Sequence, residues 1–132
     1  MEPRISVITL GVSDMQRAIH FYRDGLGFPL RDDKPPVAYF QLDGTWLALF
    51  PRNSLAHYAN VAPDGHGFTG VTLSCNVPSR QVVDQTVEQA EAAGATVVKQ
   101  PAEFSWGGYA GWFADPDGYL WEIVWNPRPF ME

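Results

Sequence analysis

Two helix starts, near Asp14 and Ser79, lie 65 residues apart in a chain of 132. Each follows a strand and precedes three more, so the order strand, helix, three strands occurs twice. This repeat limits the possible folds more than any single motif does. One βαβββ unit has a sheet with two faces but a single helix, which covers only one of them. The duplication therefore predicts an α+β protein of two βαβββ modules joined in one curved body. Each helix lies on an outer face and a concave inner face is left for something else. The expected boundaries are about 4–51 for module 1, 52–67 for a linker and about 68–126 for module 2.

The local signals are consistent with this order. Ile5 to Val12 is rich in β-branched residues, with Ile8, Leu10 and Val12 on one face and Val7, Thr9 and Gly11 on the other. Ser13 and Gln16 are spaced as a capping box, and Met15, Ala18, Ile19 and Tyr22 form an amphipathic stripe. Strands are expected near residues 28–31, 37–42 and 45–50, the last pair joined at Asp43-Gly44. In the second half Thr69–Cys75 reads as a strand, Pro78-Ser79 opens a helix faced by Val83, Val87 and Ala90, and Gly94 closes it. Thr96–Lys99 reads as a short strand, followed by a loop over 101–108. The chain then runs into a hairpin whose turn is Asp115-Pro116-Asp117-Gly118, where proline presets one φ and glycine supplies a positive one.

Composition excludes several function classes. A net charge of −6 and a pI near 4.9 argue against nucleic acid, which needs a basic stripe. No apolar run approaches the ~18 residues that span a bilayer, so no membrane partner is expected. Cys75 is the single cysteine and stands in an apolar run, VTLSC. It reads as a buried structural thiol in a reducing, cytoplasmic setting, and the N-terminus shows no signal-peptide pattern. Residues 65–70 satisfy G-x-G-x-x-G but lead into a strand rather than a helix, which rejects a dinucleotide site. His20 reads as a surface residue, and His57 and His66 as solvated linker residues.

Glu122 is the anomaly. It stands between Trp121 and Ile123 in the last strand, and an unpaired buried carboxylate costs several kcal/mol. It must face solvent, a partner or a cavity.

The segments ITLGVSDMQRAIHFYRDGLGF, VTLSCNV and GYAGWFADPDGYLWEIVW, in this order and spacing, resemble the vicinal oxygen chelate superfamily. That group includes glyoxalase I, extradiol dioxygenases, fosfomycin-resistance enzymes and bleomycin-resistance proteins. The resemblance implies the glyoxalase/bleomycin-resistance/dioxygenase fold, two βαβββ modules in a cupped mixed sheet, and a homodimer. It also implies four metal-ligand positions on the inner face, which fall here on Val7, Ala48, Gly70 and Glu122. Only Glu122 can ligate, whereas a catalytic site of this kind takes about three protein ligands. The family's metal is therefore expected to be absent, with no cofactor in its place.

The reading that follows is a metal-free, bleomycin-resistance-like protein binding a small cationic or aromatic molecule. Glu122 would accept a hydrogen bond or pair with a cation. Thr9, Thr72, Gln41 and Trp46 would line the pocket, with Trp106 and Tyr109 at its rim. Phe104 and Trp112 add to the aromatic supply. The alternatives are a lyase, isomerase or dioxygenase with an atypical metal site, and a non-catalytic dimer whose cavity is filled by its own side chains.

Overall fold

The computed structural model describes residues 1–32, 34 and 36–128. It has two four-stranded mixed sheets with helices, an α+β architecture of two modules. Contacts divide the chain into one compact unit over Met1–His66 and a second from Gly67 onward.

In the first unit the strands are β1 (Val7–Val12), β2 (Leu30–Asp32), β3 (Ala38–Phe40) and β4 (Trp46–Pro51). Their spatial order is β1-β4-β3-β2, with β1 and β4 parallel and the other pairs antiparallel. The second unit repeats this order with β5 (Thr72–Asn76), β6 (Thr96–Glu103), β7 (Tyr109–Ala114) and β8 (Leu120–Trp125). Its order is β5-β8-β7-β6, again with a single parallel pair, β5 with β8. The helix and the two strands that follow it make up the long connection that each parallel pair requires.

That helix in the first unit, α1, spans Met15–Ile19 and runs on as a π-helical segment over His20–Gly25. Asp14 rather than Ser13 is its cap, accepting a hydrogen bond from the Arg17 N–H at 3.1 Å. Ser13 Oγ accepts instead from the Arg17 guanidinium at 3.0 Å. The wider π turn, closed by Leu26 N–H to Phe21 C=O, accompanies burial of two consecutive aromatics, Phe21 and Tyr22. Tyr22 packs on Phe28 and on Phe40, with ring centroids 5.8 and 6.0 Å apart. Phe40, Leu47, Leu49 and Ala38 are fully buried on this helix-covered face. Burying each such large side chain contributes about 1.5–3 kcal/mol.

The linker stretch holds a short helix, α2 (Arg52–Ala59), packed on β1 and β4. It sits on the sheet face opposite α1. Tyr58 stacks on Phe50 at 5.6 Å, and a Cβ at Gly11 would lie 3.1 Å from the Arg52 backbone. Arg52 also donates through Nε to the Pro63 carbonyl at 2.9 Å, holding the segment that follows.

In the second unit α3 spans Arg80–Ala92, with Ser79 accepting from the Val82 N–H at 3.2 Å. Val83, Val87 and Ala90 are buried, as the spacing predicts. Their face of the sheet carries Phe113 stacked on Trp121 at 6.3 Å. The β7–β8 turn is closed by Asp115, whose Oδ1 accepts from the N–H groups of Asp117 (2.9 Å) and Tyr119 (2.8 Å). Gly118 adopts φ 91°.

Two strand boundaries and one burial stand out against expectation. β5 begins at Thr72, because Gly70 has φ 83°, a left-handed conformation outside the strand region. β6 runs through Pro101 to Glu103, which is possible because it is an edge strand with irregular register around that proline. Cys75 is exposed rather than buried, because β5 is the other edge of the same sheet.

Candidate functional site

The register of the second sheet aligns four side chains in one row. Ser74 pairs with Glu122, Glu122 with Trp112 and Trp112 with Lys99, so the row crosses all four strands. It lies on the face away from α3, since Phe113 and Trp121, at the alternate positions, face the helix side. Ser74 Oγ donates to Glu122 Oε1 at 3.0 Å. Glu122 is half-buried, so it is neither an isolated buried charge nor a freely solvated one. It lines a concavity of about 500 Å³ together with Trp112, Lys99, Val98, Phe104 and Trp106.

The aromatic edge of this concavity has a specific backbone cause. Phe104 N–H donates to the Gly108 carbonyl at 2.8 Å, and Gly107 N–H to the Phe104 carbonyl at 2.9 Å. This tight loop lays the Trp106 ring over Gly108, where any side chain would collide with it. Phe104 and Trp106 are stacked nearly parallel, 5.6 Å apart at 4°. The Lys99 ammonium sits over the Phe104 ring at 5.3 Å.

Tyr109 belongs elsewhere. It shares the helix-covered face with Gly111 and Phe113, and its hydroxyl donates to Asp84 Oδ1 on α3 at 2.7 Å. That hydrogen bond, then burial, then the Asp84 charge hold the phenol above its usual range, partly opposed by Arg80. The Arg80 guanidinium lies 5.2 Å from the Tyr109 ring and 5.3 Å from that of Trp125, and it pairs with Glu103 at 3.1 Å. This cluster staples α3 to the sheet. It is not a rim of the Glu122 concavity.

In the first unit, Val7, Thr9, Trp46 and Ala48 share the face away from α1, with Val7 opposite Trp46 and Thr9 opposite Ala48. Thr9 is exposed, while Ala48 is fully buried. Gln41 follows the end of β3 and is exposed, with its backbone N–H on the Pro29 carbonyl at 3.1 Å. Thr72 opens β5 and is exposed two residues before Ser74.

The repeat also corrects one assignment. Asp14 and Ser79 are equivalent caps, which makes Thr72, not Gly70, the counterpart of Val7. Val7 is then placed relative to Ala48 as Thr72 is to Glu122, two residues along the paired strand. Of Val7, Ala48, Thr72 and Glu122, only Glu122 carries a strong metal-ligating group. Among the described residues no three His, Cys, Asp or Glu side chains cluster for a metal. The residues present therefore do not fit a divalent metal of the expected kind. His57 and His66 are both exposed, and His20 is exposed and bonded to Asp24 at 2.9 Å.

Two members of the row escape the sequence pattern. Ser74 is on the face already assigned to Thr72, but only the strand register puts it beside Glu122. Lys99 reaches Trp112 because the register of β6 slips between Val97 and Lys99. Regular alternation would have put Val98 there.

The sequence matches the Glyoxalase family, described as Glyoxalase/Bleomycin resistance protein/Dioxygenase superfamily, over residues 4–123. The chain belongs to this superfamily. Metallothiol transferase FosB from Staphylococcus saprophyticus is 38% identical over 125 residues, 90% of this chain and 74% of that protein. The FosB of Staphylococcus haemolyticus is 39% identical over 64 residues, and that match spans less than half of its length, 46%. A glyoxalase-related enzyme from Fulvimarina pelagi has a similar structure, with a TM-score of 0.88 and 31% identity over 95% of this chain and 89% of that one.

Proposed function

We propose that this superfamily member is a small-molecule binding protein that works without a metal, with Glu122 as the central polar contact. The observation that carries this reading is the Ser74–Glu122 hydrogen bond of 3.0 Å at the floor of an aromatic concavity. A carboxylate with one hydroxyl partner keeps most of its acceptor capacity for a ligand. Trp112, Phe104 and Trp106 supply apolar area around it. The ligand class is a small aromatic molecule with a cationic or hydrogen-bond-donating end, and the expected assembly is a homodimer.

The relatives keep an enzymatic reading in view, since FosB is named a metallothiol transferase. Against it, Val7, Ala48 and Thr72 cannot accompany Glu122 in a metal site.

Metal analysis and calorimetry on the purified protein test the proposal. 2-Naphthylmethylammonium should bind to protein stripped with chelator, and Glu122→Gln should weaken that binding by roughly tenfold, as for loss of a charge-assisted hydrogen bond. Stoichiometric Zn²⁺ or Ni²⁺ that is lost in Glu122→Gln would overturn the metal-free reading.

A further inference from the structure

Lys99 stands at one end of the row that Glu122 anchors, and both line the same concavity. The lysine stem belongs to β6 and the carboxylate to β8, with Trp112 of β7 between them. Two strand spacings separate their backbones by about 9–10 Å. Among the described residues Lys99 has no carboxylate within ion-pair distance, and its ammonium rests on the Phe104 ring. Glu122 has Ser74 as its hydrogen-bond partner rather than Lys99. The two opposite charges of the concavity are thus held apart, each by a neutral neighbour.

A purely cationic ligand would meet this lysine with unfavourable charge, and the Phe104 face that could receive its cation is already occupied. An anionic group would instead gain an ion pair at Lys99. From this geometry we infer that the site is bipolar. It takes a flat aromatic molecule carrying a carboxylate or similar anion at the Lys99 end and an ammonium or hydroxyl donor at the Glu122 end, with the ring system over Trp112. The slip in β6 register is the structural device, since it exchanges Val98 for Lys99 opposite Trp112. The inference rests on the proposed binding role and adds the identity of the second polar end.

Three probes separate the two ideas by calorimetry on metal-stripped protein: 6-(aminomethyl)-2-naphthoate, 2-naphthylmethylammonium and 2-naphthoate. The two-ended probe is expected to bind about fivefold tighter than the amine, the gain of one partly exposed ion pair. Lys99→Met should remove that gain while leaving the amine as tight as before or tighter, and Lys99→Arg should keep it. Glu122→Gln should weaken the amine and the two-ended probe together. Equal affinity of the two-ended probe and the amine, or a gain that survives Lys99→Met, overturns the bipolar site but leaves the binding proposal standing. No binding of any probe at millimolar concentration overturns both. Lys99 is exposed in an edge strand, so its variants are expected to fold, and an unchanged melting temperature checks this.

Discussion

At one place in its repeat the molecule holds Ala48 beside Thr9, and at the equivalent place it holds Glu122 beside Ser74. Strand order, the single parallel pair and the cap positions agree between the modules. Their faces away from α1 and α3 do not. In module 1 that face is apolar around Ala48 and Phe50, both buried, and α2 packs across its far end. In module 2 it carries a half-buried acid, a lysine and two tryptophans around a concavity. A duplicated backbone thus fixes where side chains project, while the residues at those positions decide whether a face is packed or kept for a ligand.

The most severe way to break this contrast is Ala48→Glu, which copies Glu122 into module 1 next to a hydroxyl. Because Ala48 is 1% exposed, the new carboxylate would be buried with inadequate partners. A loss of about 3–5 kcal/mol in urea unfolding is expected, the scale of an uncompensated buried charge. A loss below about 1 kcal/mol would mean that the two faces are equally wet.

The turns sharpen the same comparison at smaller cost. Asp115 is buried and its carboxylate accepts two backbone N–H groups, whereas Asp43, in the corresponding turn of module 1, is exposed. Asp115→Ala should cost about 2–3 kcal/mol by equilibrium denaturation. Asp43→Ala should fall within about 0.5 kcal/mol of the parent.

A smaller loss than that of Asp115→Ala concerns the helix-covered face of module 2. Tyr109→Phe removes the hydrogen bond to Asp84 and should cost about 0.5–1 kcal/mol near neutrality. The phenol is held above its usual range in the folded state, so folding favours its protonated form. The contribution is therefore complete below the ordinary tyrosine range, and it is lost as pH rises through the raised folded value. Stability curves of the parent and Tyr109→Phe should run parallel through neutral pH and converge at strongly alkaline pH. Divergence toward high pH would overturn the assignment.

Much of the fold was legible in the chain because the signals are local. Ser79 and Gly94 bracket α3, Val83, Val87 and Ala90 mark its buried face, and Asp115 to Gly118 announces the hairpin. Glu122 stood out as a candidate for a related reason, since a carboxylate between Trp121 and Ile123 is anomalous at any register. The rest of the site was not. Tyr109 looked like a rim residue by its nearness to Trp106 in sequence, yet strand parity sends it to α3. Gly70 looked like the counterpart of Val7, until its left-handed backbone put it outside the strand.

By itself, then, the sequence determined the repeat, the helix faces, the turns and one unavoidable acid. These follow from propensity and from periods of 3.6 and 2 within short windows. Tertiary structure alone decided that Ser74 and Lys99 join that acid in one row. Cross-strand neighbours depend on register, and a register slip of one residue in β6 puts Lys99 rather than Val98 opposite Trp112.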